Sequence, residues 1–173
     1  MTQKNISGLA ALLVKNIRPG AVLYKHCDFT TPPKSKFMVV GSTSPRLLVL
    51  LINSAINKFY YDRKLDSYHV LIPYADHSFL DHDSYANCIE SHTAFDLSEI
   101  QSDVVDNYNA TFKGFLTDNC LAKVYAAVKE NKILERSYKR EITASIEAQL
   151  PYLNPPIPAA PALPQDEGES AAS

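Results

Sequence analysis

Four short stretches of this chain carry residue types that can do chemistry. His26-Cys27-Asp28 puts a base, a thiol and a carboxylate side by side. On a strand, neighbours point to opposite faces, so Cys27 cannot join the other two, while His26 and Asp28 share a face. There His26 can serve as a base in a groove. His77-Ser78-Phe79-Leu80-Asp81-His82-Asp83 holds two imidazoles and two carboxylates, ligand types for zinc or manganese. Its spacing fits no standard metal motif, and Asp81 and Asp83 suit turn or cap positions. Ser44-Pro45-Arg46 and Lys58-Phe59-Tyr60-Tyr61-Asp62-Arg63-Lys64 offer cations, interleaved in the second stretch with aromatics. Arg46, Lys58 and Arg63, together with Lys34 and His26, are thus candidates for gripping single-stranded RNA, and for the 58–64 stretch a solvated loop is the competing reading. Tyr60, Tyr61 and Tyr68 are the raw material of an aromatic cage, but nothing in the sequence brings the three rings together.

Cys27, Cys88 and Cys120 form no CxxC pair and have no His/Asn partner at a telling spacing. They read as small core residues. An odd cysteine count argues against a disulfide framework and fits a reducing cytoplasm. No metal and no cofactor is expected. With five glycines in all, no phosphate-cradling glycine loop is present.

The elements that must position these residues follow from patterning. The 173 residues suffice for one domain with appendages. No apolar run approaches the ~18 residues that span a bilayer, and the N-terminus lacks a secretory apolar core, so no membrane partner is expected. The net charge of −2 excludes nucleic-acid binding by bulk charge. Residues 151–173 hold six of the eleven prolines and no Lys or Arg. They read as a disordered Pro/Ala-rich tail. Residues 1–150 keep all 17 basic residues and 16 of the 19 acidic ones, a formal +1, which permits a local basic groove.

Residues 1–19 read as a helical extension, with Leu9, Leu12, Leu13 and Ile17 as its apolar stripe, closed by Arg18-Pro19-Gly20. Strands are expected at Ala21–Cys27, Lys36–Gly41, Arg46–Asn53, Tyr68–Pro73 and Asp83–Ile89. The continuous apolar pattern of the third implies burial on both faces. A short helix is expected over Leu97–Val105. A clear one follows Thr117, with Leu121, Val124, Tyr125 and Val128 inward, and a last one lies within Ile133–Leu150. The expected fold class is mainly β with α: a small SH3-like β-barrel at 20–134, a C-terminal helix at 135–150 and the N-terminal helix in front.

Gly20-Ala21-Val22-Leu23 resembles the opening Gly-Asp-Val-Val strand of the MazF/PemK toxin family of toxin–antitoxin pairs. Lys34-Ser35-Lys36-Phe37-Met38-Val39-Val40 resembles its basic residue, Arg-Pro and Val-rich strand. Leu50-Leu51-Ile52-Asn53-Ser54 is similar to the strand ending in a hydroxyl residue, and Asp83-Ser84-Tyr85-Ala86 to the later strand after a buried turn. Gly114-Phe115-Leu116-Thr117-Asp118 is similar to the Gly-x-Leu-Ser/Thr entry to the last helix. The resemblance spans Gly20 to Leu134, about two-thirds of the chain. It implies an SH3-like barrel, a metal-independent endoribonuclease acting on single-stranded RNA, a homodimer, and a cognate antitoxin protein as partner. It carries the family's catalytic Arg to Lys36, with Lys34 as the competing alignment, and the hydroxyl residue to Ser54. The departures are Lys for Arg and Phe37 for Pro. Arg holds a phosphate bidentately, whereas Lys is a point charge. Lys36 can stabilise charge on the phosphorane-like transition state and Ser54 can bond a phosphate oxygen, but neither is an acid or base at neutral pH. The alternative is a catalytically degenerate toxin-like barrel that binds protein or nucleic acid, which the substitution, the added helix and the proline tail favour.

Overall fold

β-branched and leucine-rich segments pair here into one sheet, as their pleat-filling side chains favour. In a computed structural model describing residues 8–161, six strands run antiparallel in the order β4-β5-β3-β2-β1-β6. They are β1 (Ala21–Cys27), β2 (Lys34–Ser42), β3 (Leu48–Asn53), β4 (His69–Ile72), β5 (Ser84–Asn87) and β6 (Phe112–Phe115). The sheet curls into a half-barrel with β4 and β6 at its edges. Register shifts in the β1–β6 ladder between Val22 and Leu23, and in the β2–β3 ladder between Val40 and Ser42, accompany the curl.

Among the described residues six α-helices accompany it: α1 (Gly8–Val14), α2 (Lys58–Asp62), α3 (Leu97–Asp106), α4 (Tyr108–Thr111), α5 (Asp118–Glu130) and α6 (Arg136–Gln149). More of the described residues are helical than extended, so the class is mixed α/β rather than mainly β.

The sheet is buried on both faces. Val22, Val39, Leu48, Leu50 and Ile52 face Leu121, Val124, Ile142 and Ile146 of α5 and α6. The alternate residues Ala21, Leu23, Met38, Val40, Val49 and Leu51 face Ile100 and Val104 of α3. Strand β3 therefore reads as a run of apolar residues, with Leu48–Ile52 all buried. Each such side chain contributes roughly 1.5–3 kcal/mol of burial. Helix α6 lies close at Gly41, where an added Cβ would meet the Ile142 side chain at 3.1 Å and that side chain would have to shift by a few tenths of an ångström.

Thr117 caps α5 through its hydroxyl, which accepts from the Cys120 N–H at 3.2 Å, as its residue type predicts. Helix α1 differs from the expected stripe. Leu13 and Ile17 pack inward as expected, but Leu9 and Leu12 are exposed and Ala10 is buried. The helix ends at Val14, and just beyond it Asn16 donates to the Tyr108 hydroxyl at 2.8 Å. Expected positions 1–7 of the extension and 162–173 of the tail lie outside the described residues. Residues 154–161 have no regular secondary structure. Among the described residues no helix is long and apolar enough to cross a membrane.

Candidate functional site

Two strand ends meet at one margin of the sheet: β2 begins at Lys34, and β3 ends at Asn53 with Ser54 following. The neighbouring β5 runs antiparallel to β3, with Asn53 opposite Tyr85, and brings Asn87 to the same cleft. An open cleft of about 560 Å³ lies there. Lys34 and Lys36, two apart on β2 and therefore on one face, line it together with Asn53 and Ser54. Thr30 and Thr31 of the β1–β2 turn, Asn57 and Tyr60 of the α2 region, and Glu90 and His92 after β5 complete the wall. Lys34, Lys36, Asn53 and Ser54 also line an adjoining cleft of about 250 Å³, walled by Tyr24, Phe37, Ile52 and Leu80. Tyr24 and Phe37 pack there at 4.8 Å between ring centroids.

The Lys36 ammonium donates to the Asn53 side-chain oxygen. Burial, and then the like charge of Lys34, hold its pKa below the ordinary lysine value. His92 is seated by its backbone, which exchanges hydrogen bonds with Val49 of β3 at 2.9 and 3.2 Å. Its ring stacks on Phe29, centroids 4.7 Å apart. Burial lowers its pKa from the usual imidazole range. Among the described residues, two buried side-chain polar atoms have no partner: His92 Nε2 and His69 Nε2. His69 packs behind Tyr60 at 4.6 Å between ring centroids, so of the two only His92 lines the cleft. Tyr60 is held by Asn87, which donates to its hydroxyl at 3.4 Å.

The structure thus brings Lys34, Lys36 and Ser54 into one cleft. The other candidates lie elsewhere. His26 is exposed beside Asp28, 3.1 Å away, and lines neither cleft. The Arg46 guanidinium is engaged by Glu141 of α6 at 2.7 and 3.0 Å and lies over Tyr138. Lys58 pairs with Asp62 one turn along α2 at 2.8 Å, and Arg63 stacks on Phe59 at 3.6 Å. The stretch thus opens with the short helix Lys58–Asp62, and its cations Lys58 and Arg63 are held by neighbours within it.

In the His77–Asp83 stretch, His77 is buried. Its Nδ1 donates to the Pro73 carbonyl at 2.7 Å, and its Nε2 accepts from the Thr117 N–H at 3.2 Å. His82 pairs with Asp81 instead. Among the described residues no three His, Cys, Asp or Glu side chains are grouped so as to hold a metal. All three cysteines are free and buried, and burial pushes the Cys88 thiol up to about 12 and Cys120 up to about 11.

Sequence reasoning missed His92, Asn53 and Glu90. His92 is a lone histidine in an irregular segment, and only its bridge to Val49 carries it to the cleft. Comparison of the chain with family models, with curated proteins and with solved structures gives no match.

Proposed function

We propose that the chain is a PemK/MazF-like toxin, a cytoplasmic, metal-independent endoribonuclease acting on single-stranded RNA, on a half-barrel related to the SH3-like barrel. One observation carries the reading. The two residues matched to the family's reactive positions, Lys36 and Ser54, line a single open cleft with a second cation, Lys34. In that cleft Lys36 and Lys34 attract a phosphodiester, and the partly buried Lys36 ammonium stabilises the charge that builds on its oxygens during cleavage. Ser54 donates a hydrogen bond to a phosphate oxygen. The Tyr24–Phe37 wall of the adjoining cleft gives a neighbouring base an apolar surface on which to stack. A homodimer and a protein antitoxin belong to the same proposal.

The test is induced expression of wild type beside Lys36→Ala and Ser54→Ala, read by growth and by total-RNA integrity in extracts with chelator. The reading requires arrest and fragmentation by wild type alone. Harmless wild type with intact RNA, in a host lacking any antitoxin, contradicts it. The second reading, a degenerate toxin-like binding module, is favoured by the Lys36–Asn53 bond, which engages the cation without any substrate. It predicts RNA retention without cleavage.

A further inference from the structure

We infer that His92 is the proton-transfer residue of this cleft, the base that takes the 2′-hydroxyl proton of a bound ribonucleotide. The inference rests on the ribonuclease reading above and supplies what Lys36 and Ser54 lack.

Three observations carry it. His92 lines the same cleft as Lys36 and Ser54. Its backbone is fixed by two hydrogen bonds to Val49 and its ring packs on Phe29, so the side chain has a seat before any ligand arrives. Its ring nitrogens are uncommitted among the described residues: Nε2 is buried without a partner, and no hydrogen bond is formed by Nδ1. Buried side-chain nitrogens are nearly always paired, and an exception in a concave site is a candidate for function. His77 shows the contrast, since both its nitrogens are spent on backbone groups.

The step balances as a transesterification. Nδ1 of His92, in the tautomer carrying its hydrogen on Nε2, takes the 2′-hydroxyl proton. The 2′-oxygen bonds to phosphorus, the bond from phosphorus to the 5′-oxygen breaks, and a 2′,3′-cyclic phosphate forms. The 5′-oxygen leaves with a proton from water, and the imidazolium discharges its proton to solvent. The charged and titratable groups around the cleft are Lys34 and Lys36 from β2, Tyr60 from α2 and Glu90 beside His92. Burial outweighs the opposing effect of Glu90 and keeps the ring neutral at pH 7, the form a base needs.

The experiment is steady-state cleavage of a single-stranded RNA, in chelator, by wild type, His92→Gln and His92→Ala from pH 5 to 9. Binding of the all-2′-deoxy oligonucleotide and the melting temperature serve as controls. The inference predicts that wild-type kcat falls as pH drops through a midpoint below 6.5. In His92→Gln, kcat falls roughly 10²–10⁴-fold, the acid limb disappears and deoxy-oligonucleotide binding is retained. Free imidazole restores part of the His92→Ala rate. In wild type, the His92 ring followed by NMR titrates with the midpoint of the acid limb, a readout that needs no variant to fold. Cleavage by His92→Gln at the wild-type rate, or an NMR midpoint away from the acid limb, overturns the role of His92 alone. A folded wild type that cleaves no RNA overturns the ribonuclease reading and this role with it.

Discussion

The ammonium of Lys36 is bonded to the side-chain oxygen of Asn53, tying the start of β2 to the end of β3 at the mouth of the cleft. The bond satisfies a cation that burial and Lys34 both disfavour. A lysine with a lowered folded pKa destabilises the fold while it is charged, and that cost is relieved as pH rises toward 10.5. Lys36→Met is therefore expected to melt no lower than wild type at pH 7, with any gain fading in alkali. Charge-assisted hydrogen bonds contribute about 1.5–3 kcal/mol, so the same variant loses roughly ten- to a hundredfold in affinity for a single-stranded oligonucleotide. Calorimetry and fluorescence anisotropy check the two halves.

Salt dependence separates the cations. Each phosphate contact on a single strand contributes about 0.7 to the slope of log K against log salt. Lys34→Ala and Lys36→Ala each shallow that slope by about this amount. Arg46→Ala leaves it unchanged, because Arg46 is bonded to Glu141 away from the cleft. A shallower slope in Arg46→Ala would return that residue to the RNA surface.

Asn131 is the most heavily used buried amide in the fold. Its Nδ2 donates to the Cys88 and Ile89 carbonyls at 2.7 and 3.2 Å, and its Oδ1 accepts from the Ile133 and Leu134 N–H groups at 2.7 and 3.1 Å. Asn131→Leu strands several of these groups in the interior and costs about 3 kcal/mol or more. Urea denaturation measures it, and a loss below 1 kcal/mol contradicts the assignment.

Gly20 joins α1 to the sheet with φ +89°, and a Cβ there would lie 3.0 Å from Leu121 Cδ2. Its N–H donates to the Val40 carbonyl at 2.9 Å and its carbonyl accepts from Leu116 at 2.8 Å, so the backbone cannot relax freely. Gly20→Ala is expected to cost about 1–3 kcal/mol, read as a lower melting temperature.

Periodicity reached the elements long enough to carry it. The apolar run of β3 and the Leu121-Val124-Tyr125-Val128 stripe of α5 are buried as their patterns imply. Strand β6, Phe-Lys-Gly-Phe with every residue half-buried, shows no alternation, and α2 is too short for a helical stripe. In and just after α1 only Leu13 and Ile17 of the expected stripe pack inward, beside Ala10, while Leu9 and Leu12 face out, a choice made by tertiary contacts with α3. In the cleft, Lys34, Lys36 and Ser54 were singled out through the family resemblance rather than from residue type or spacing. His92 was not, because a bridge to a strand 43 residues earlier sets its place.

The central claim is RNA cleavage at the Lys36 cleft, and purified protein incubated with a labelled single-stranded RNA in excess chelator tests it most directly. The account predicts cleavage products ending in 2′,3′-cyclic phosphate from wild type, none from Lys36→Met, and none when the substrate carries 2′-deoxyribose at the cut site. An intact RNA after prolonged incubation with folded wild type, or equal cleavage by Lys36→Met, contradicts it.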